Sequence, residues 1–297
     1  MSALLRDLVA AELAERVEPR VIAMAEKIAG RYPGAARAVL FYGSCLRTAV
    51  LDGLMLDFYV IVSDYRAAYG RTWLAAANRM IPPNVFPFEH GGLAAKYAVL
   101  SEADFHRETG PDARSVSVWA RFAQPARLVW TRDEAARTQV IDSVAQAAPT
   151  LFRFTLPMMP ESTALDPDTV WKRGFALTYG AELRAERTAR PSNVVEADPA
   201  RYERFGLAAL AEIAGARPVS AAAMARRWRS MQRKGKWLSV LRLVKASGTF
   251  AGGIDYLAWK INRHAGTDIR IRPWHRKLPL IAALILLPRL LMGRAIR

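Results

Sequence analysis

Residues 38–62 read AVLFYGSCLRTAVLDGLMLDFYVIV, and this stretch decides the fold. An apolar run, Ala38 to Tyr42, has the length and composition of a buried strand and stops at Gly43-Ser44. Residues 55–62, MLDFYVIV, form a second and clearer strand with a single acid, Asp57, placed 13 residues after Ser44. A strand, a Gly-Ser turn and an acid on the next strand make a recognisable phosphate-handling arrangement. Glycine lets backbone approach a triphosphate closely, while the Ser hydroxyl and nearby N–H groups hold phosphate oxygens. The acid holds Mg²⁺, which bridges phosphates and stabilises charge on a leaving pyrophosphate. The competing reading is a tight turn followed by an acid near a strand end.

Outward from this stretch, apolar residues at helical spacing predict an amphipathic helix over 3–30, ended by Arg31-Tyr-Pro-Gly34. Residues 65–80 read as helix up to the Pro82-Pro83 break, and 94–100 as a third strand. Ser101-Glu-Ala-Asp104 is a capping-box-like helix start. Residues 114–122 read as helix and 126–130 as strand. Strands alternating with helices to about residue 150 indicate a small α/β or α+β domain. Beyond a junction at Pro157-Met-Met-Pro160 and Asp166-Pro-Asp168, helices are expected over 169–187, 199–216 and 220–231, with Asp168 and Ser220 as caps. The expected architecture is α+β: residues 1–156, a mostly helical second domain over 157–243, and a basic amphipathic segment over 244–297.

The 297 residues carry 43 Lys/Arg, 27 Asp/Glu and 52% apolar residues, which excludes wholesale disorder. From Arg226 onward there are 17 Lys/Arg against only Asp255 and Asp268, whereas the first 225 residues hold 26 basic and 25 acidic residues. A near-neutral body with so cationic a C-terminal quarter is suited to phosphate, on nucleic acid or on an anionic membrane. The single cysteine, Cys45, excludes an intrachain disulfide and a Cys-based zinc site. The first 20 residues mix acids and bases without a long apolar core, so a secretory signal is not expected and a cytoplasmic location is the default. The run Leu278-Pro-Leu-Ile-Ala-Ala-Leu-Ile-Leu-Leu287 is shorter than the roughly 20 apolar residues that span a bilayer.

The usual nucleotidyltransferase signature has two carboxylates one residue apart on the second strand, pointing the same way. Here Met55 and Tyr59 flank Asp57 at that spacing. Asp52, Glu89 and Asp104 are candidates for a second ligand, with Asp52 preferred, although a surface role competes for each. His90, His106, His264 and His275 show no metal spacing. Trp228, Trp237, Trp259 and Trp274 lie among Lys and Arg, which suits a membrane interface or base stacking on nucleic acid, and the apolar terminus favours the membrane.

The sequence resembles the mitochondrial-type CDP-diacylglycerol synthases, the peripheral CTP:phosphatidate cytidylyltransferases of the translocator assembly and maintenance group. The matching stretches are FYGS (41–44), MLDFYVIV (55–62), AAKYAVLSEADF (94–105), WARFAQPARLVW (119–130) and LTYGAELRAER (177–187). NVVEADPARYERF (193–205) and VKASGTFAGG (244–253) match more loosely. In that family the strand reads Met-Leu/Ile-Asp-Phe/Leu and the second acid is likewise absent. Cys45-Leu46 replaces the family's small Gly-Val, and the loop to Asp57 is shorter, which separates Asp52 from a clear equivalent.

The resemblance implies a nucleotidyltransferase-fold domain, a winged-helix-like helical domain and a membrane-binding C-terminal segment, peripheral on the inner face of the membrane. It implies conversion of CTP and phosphatidate to CDP-diacylglycerol and pyrophosphate with magnesium. In that reading Asp57, with Asp52, holds the metal; Gly43 and Ser44 cradle the triphosphate; and Lys96 and Arg184 stabilise added charge. Tyr179, Glu182 and Arg184 match a Tyr-Gly/Ser-x-Asp/Glu-x-Arg pattern that serves the nucleotide or a helix salt bridge. Lys245, with Thr249, touches the lipid phosphate or belongs to a solvated basic face. Arg276 and Lys277, with Leu284 and Leu287, meet the membrane. The alternatives are a nucleotidyltransferase acting on RNA or a small molecule, and a non-catalytic basic adaptor.

Overall fold

The computed structural model describes residues 2–48, 50–160, 166–179, 191–217 and 219–249. Two helices, α1 (Ala3–Leu13) and α2 (Pro19–Ala29), precede the sheet. The single helix expected over 3–30 is therefore broken. Pro19 lacks the N–H that an interior turn requires, so it opens α2 instead of continuing α1. Next come β1 (Ala36–Tyr42), α3 (Ser44–Thr48) and β2 (Met55–Val62). The helix expected over 65–80 is two, α4 (Tyr65–Ala68) and α5 (Thr72–Met80), separated where Tyr69 takes extended backbone angles.

The strands β3 (Asn84–His90) and β4 (Leu93–Ser101) form a hairpin whose two connecting residues, Gly91 and Gly92, both have positive φ. Such turns match the twist of paired strands and favour glycine. β3 is not among the expected strands, and its Pro87 reads against one. The sheet order β3-β4-β2-β1-β5 puts β3 on an edge, where a missing N–H is tolerated. Ser101 caps α6 (Glu102–Thr109), accepting from the Asp104 N–H at 3.2 Å. Only Trp119–Phe122 (α7) is helical within the expected 114–122. The Arg114 and Ser115 N–H groups donate to the Glu108 carboxylate, which replaces helical partners there.

β5 (Ala126–Thr131) completes the sheet, followed by α8 (Glu134–Ala145) and α9 (Ala147–Thr155). Then come α10 (Pro167–Tyr179), α11 (Pro191–Glu196), α12 (Pro199–Ile213) and α13 (Ala221–Thr249). Asp166, not Asp168, caps α10, accepting from the Thr169 N–H at 2.9 Å, while Asp168 pairs with Lys172 one turn on. Ser220 caps α13 through the Ala223 N–H.

The architecture is α+β, with helices on both faces of a mixed five-stranded sheet. β1 is antiparallel to β2 and β5, β2 is parallel to β4, and β3 is antiparallel to β4. Strand alternation divides the core. Val39, Phe41, Phe58, Val60 and Tyr97 face α2. Leu40, Tyr59, Ile61 and Leu100 face the opposite way, into a cluster that continues through Trp119, Trp171 and Trp228. That cluster therefore holds residues on both sides of position 157. Trp171 Nε1 donates to the Tyr202 carbonyl and Trp228 Nε1 to the Phe154 carbonyl, both at 2.8 Å, so neither indole leaves a buried donor unmatched. α13 runs unbroken past position 243.

Candidate active site

The end of β1, the turn after it and the starts of β2 and β4 meet at one edge of the fold. In the antiparallel pair Tyr42 lies opposite Asp57, and in the parallel pair Asp57 lies beside Lys96. Alternation puts the three on the same face as Leu40, Tyr59 and Ala98. Lys96 Nζ stands 3.2 Å from Asp57 Oδ1, with Asp57 partly buried and Lys96 more exposed. The ring of Tyr42 packs on Tyr59 at 5.3 Å and on Phe122 at 5.9 Å between centroids, giving the carboxylate an aromatic wall.

Gly43 sits directly above the acid. Its φ of +100° is a conformation that side-chain-bearing residues rarely adopt, and a Cβ there would lie 2.9 Å from Asp57 Oδ2. The turn and the acid are thus fitted to each other before any ligand arrives. Ser44 opens α3, and Cys45 behind it is buried. The Cys45 thiol is directed at the Met55 carbonyl at 3.6 Å, and burial followed by the Asp57 charge pushes its pKa up. A protonated, enclosed thiol has the character of a packing residue and not of a nucleophile.

Of the other sequence candidates, Asp52 is 75% exposed in the loop before β2, with Arg20 Nη1 at 2.8 Å. That guanidinium holds its carboxyl below the usual carboxylate range. Asp104 accepts from Tyr65 Oη at 2.5 Å and from Arg107 at 2.6 Å. Glu89 is on β3, opposite Ala94. Among the described residues no three His, Cys, Asp or Glu side chains gather as a metal-binding group. Glu182, Arg184, Arg276, Lys277, Leu284 and Leu287 lie outside the described residues, as do the side chains of Tyr179, Lys245 and Thr249.

A single carboxylate beside a glycine turn still fits Mg²⁺ of one kind. That ion commonly binds through one or two carboxylates, keeps waters and takes its remaining ligands from substrate phosphates. Asp57 supplies the carboxylate and Gly43 leaves Oδ2 uncovered by a side chain. Lys96 supplies a mobile positive charge within reach of the same space. Sequence reading had singled out Asp57 and Lys96 separately. Their pairing, and the place of Tyr42 in the same row, come from strand register.

No family model matches the sequence, and no curated protein sequence matches it. Among solved structures, a nucleotidyltransferase-like protein from Exiguobacterium sibiricum is similar over 91% of each chain, at 11% identity and a TM-score of 0.29. Similarity at that level does not establish kinship. Among the described residues no helix is long and apolar enough to cross a membrane.

Proposed function

We propose that the chain is a nucleotidyltransferase and, more narrowly, a CTP:phosphatidate cytidylyltransferase working at an anionic membrane surface. The observation that carries the general reading is the Asp57–Lys96 pair set directly beneath the Gly43-Ser44 turn. The narrower substrates rest on the sequence resemblance. A phosphate oxygen of phosphatidate attacks the α-phosphorus of CTP, the bond from that phosphorus to the bridging oxygen breaks, and pyrophosphate leaves with the bonding pair. The attacking oxygen is already anionic, so the chain need not supply a strong base, and positioning with charge neutralisation dominates.

Gly43 and Ser44 would line the triphosphate and Asp57 would hold Mg²⁺ with it. With magnesium bound there, negative charge on the departing pyrophosphate is neutralised. Lys96 exchanges its partner carboxylate for phosphate oxygens as the site fills. Arg184 and Glu182, with Tyr179, are assigned to the nucleotide on the resemblance alone, and a supporting metal role for Asp52 would require it to leave Arg20.

The test is transfer of label from α-labelled CTP with Mg²⁺ into phosphatidate liposomes, run beside an RNA acceptor. Label in lipid supports the narrow reading. Label in RNA moves the substrate to nucleic acid, which the eight Lys/Arg and absent acids of α13 would suit. Asp57→Asn is expected to abolish transfer with the fold intact, and Lys96→Met to lower kcat by at least about tenfold, the loss of one charge-assisted contact. Near-normal turnover by Asp57→Asn would remove this site from the chemistry.

A further inference from the structure

Beside the turn lies a groove of about 350 Å³ that the reading above does not use. It reaches Leu46, two residues past Ser44 on α3, and Pro125, next to the Ala126 that pairs with Tyr42. Adjacent strands lie about 4.8 Å apart, so Ala126 is two spacings, roughly 10 Å, from Asp57. The groove's far wall is α1 with α11 and α12. Leu8, Leu46, Val194 and Phe205 make its sides apolar. Glu12 and Arg201 form a buried pair there, and Asp198, also on the lining, accepts from the backbone N–H of Arg201.

One cation in the groove is less settled. Arg127, largely buried at the start of β5, donates Nη1 to the Ala126 carbonyl and Nη2 to the Glu15 carboxylate. Its Nε is buried and has no hydrogen-bond partner among the described residues. Glu15 is 57% exposed, so it moves into water at little desolvation cost. Arg204, also on the lining, is exposed and has no carboxylate partner among the described residues. A guanidinium with an unused donor and an easily displaced counter-ion favours an anion with several oxygens. A phosphate monoester carries about −1.5 to −2 charge near neutrality and takes an arginine fork through two hydrogen bonds.

We propose that this groove is the acceptor subsite, binding a phosphate monoester carried on an apolar, lipid-like body. Arg127 holds the phosphate, and Glu15 occupies Arg127 until the ligand displaces it. The place of the subsite in a reaction rests on the nucleotidyltransferase reading, but binding to it does not. A volume of this size takes a glycerol phosphate head and the first carbons of its chains, with the chain ends left outside.

The experiment measures binding of dihexanoyl phosphatidate to the full chain without nucleotide, beside dihexanoylglycerol, glycerol 3-phosphate and inorganic phosphate. Wild type is expected to bind the phosphatidate more tightly than any of the other three. Arg127→Gln weakens it by about tenfold or more, the loss of a charge-assisted contact. Arg127→Lys, which keeps the charge without the fork, falls between. Glu15→Gln tightens binding, because the competing carboxylate is gone. A purely structural ion pair would not move the two partners in opposite directions. No binding by wild type, weakening in Glu15→Gln, or equal affinity for inorganic phosphate would overturn the proposal. Intact binding with no CTP-dependent transfer would strike the reaction and leave the subsite standing.

Discussion

A methyl group on Gly43 would stand 2.9 Å from Oδ2 of Asp57, closer than real Cβ contacts come. The turn residue and the acid on the next strand therefore constrain each other directly. Gly43 also has φ +100°, so substitution is unfavourable twice, once for the backbone and once for the acid it would push aside.

Gly43→Ala is accordingly expected to lose about 1–3 kcal/mol of stability from the backbone conformation alone. Any displacement of Asp57 adds a loss of turnover larger than the loss of folded protein explains. Thermal melting and kinetics on the folded fraction separate the two. An unchanged kcat on the folded fraction would mean that the contact with Asp57 does not set its working position.

The buried pair between Glu12 and Arg201 ties the first helix to α12. Arg201 is 3% exposed; its Nη2 meets Glu12 at 3.0 Å and its Nη1 donates to the Ala123 carbonyl at 3.2 Å. The guanidinium also lies over the Phe205 ring at 4.3 Å. Arg201→Met leaves a buried carboxylate without its partner and is expected to cost about 3–5 kcal/mol. Glu12→Leu combined with Arg201→Met removes both charges and should be milder than Arg201→Met alone. Urea unfolding of these two variants and of Glu12→Leu alone gives the coupling. A double variant as unstable as the sum of the singles would contradict a dominant charge-pair effect.

How much of this was legible in the sequence follows from how local each signal is. β1, β2 and β4 announce themselves as apolar runs because both faces of the sheet are covered there, and β5 by the shorter run Leu128-Val-Trp130. β3 carries Pro87, which hides an edge strand, although the Gly91-Gly92 pair marks its hairpin. The break at Pro19 is outweighed by apolar spacing that continues across it, and the break around Gly70 has no proline to mark it. Asp57 and Lys96 are each visible as polar residues in apolar strands. Their ion pair depends on a parallel register between strands 39 positions apart, and no local pattern encodes that. The Arg127–Glu15 contact depends in the same way on the segment after α1 lying against the start of β5.

On the other face of the sheet, Tyr32, Tyr69 and Tyr97 form a buried cluster. Tyr32 Oη and Tyr97 Oη lie 3.3 Å apart, and the Tyr32 ring stands edge-on to both neighbours. Burial pushes all three hydroxyl pKa values up, those of Tyr32 and Tyr69 well above the usual tyrosine range. In the unfolded chain they ionise near pH 10. The folded state then holds protons that the unfolded state has released, so stability is fully present below about pH 10 and falls as pH rises beyond it. Each such tyrosine contributes a loss of about 1.4 kcal/mol per pH unit above that point. Urea midpoints measured from pH 7 to about pH 11 should stay level and then drop. Tyr32→Phe should lessen the slope, and an unchanged slope would assign the alkaline loss to other groups.

The last expectation concerns the membrane. α13 holds eight Lys/Arg and no acid. Met224, Trp228 and Met231 face the core, while Arg226, Arg229, Arg233, Trp237 and Leu241 succeed one another along the exposed side. Trp237 is 69% and Leu241 42% exposed, one turn apart. An indole beside an aliphatic side chain suits the headgroup boundary, whereas base stacking would have no use for the leucine. Basic residues near an anionic surface contribute about 1 kcal/mol each, and salt screens them. The run 278–287, outside the described residues, adds an apolar element by sequence. The full chain should sediment with phosphatidylglycerol-containing vesicles, release on raising salt, and ignore pure phosphatidylcholine. Arg229→Glu with Arg233→Glu should weaken sedimentation and shift release to lower salt. Deleting residues 278–297 should leave a folded protein that binds vesicles poorly and turns over liposomal phosphatidate slowly. Full binding after that deletion would place the anchor elsewhere, and full binding after charge reversal would take this face of α13 away from the membrane.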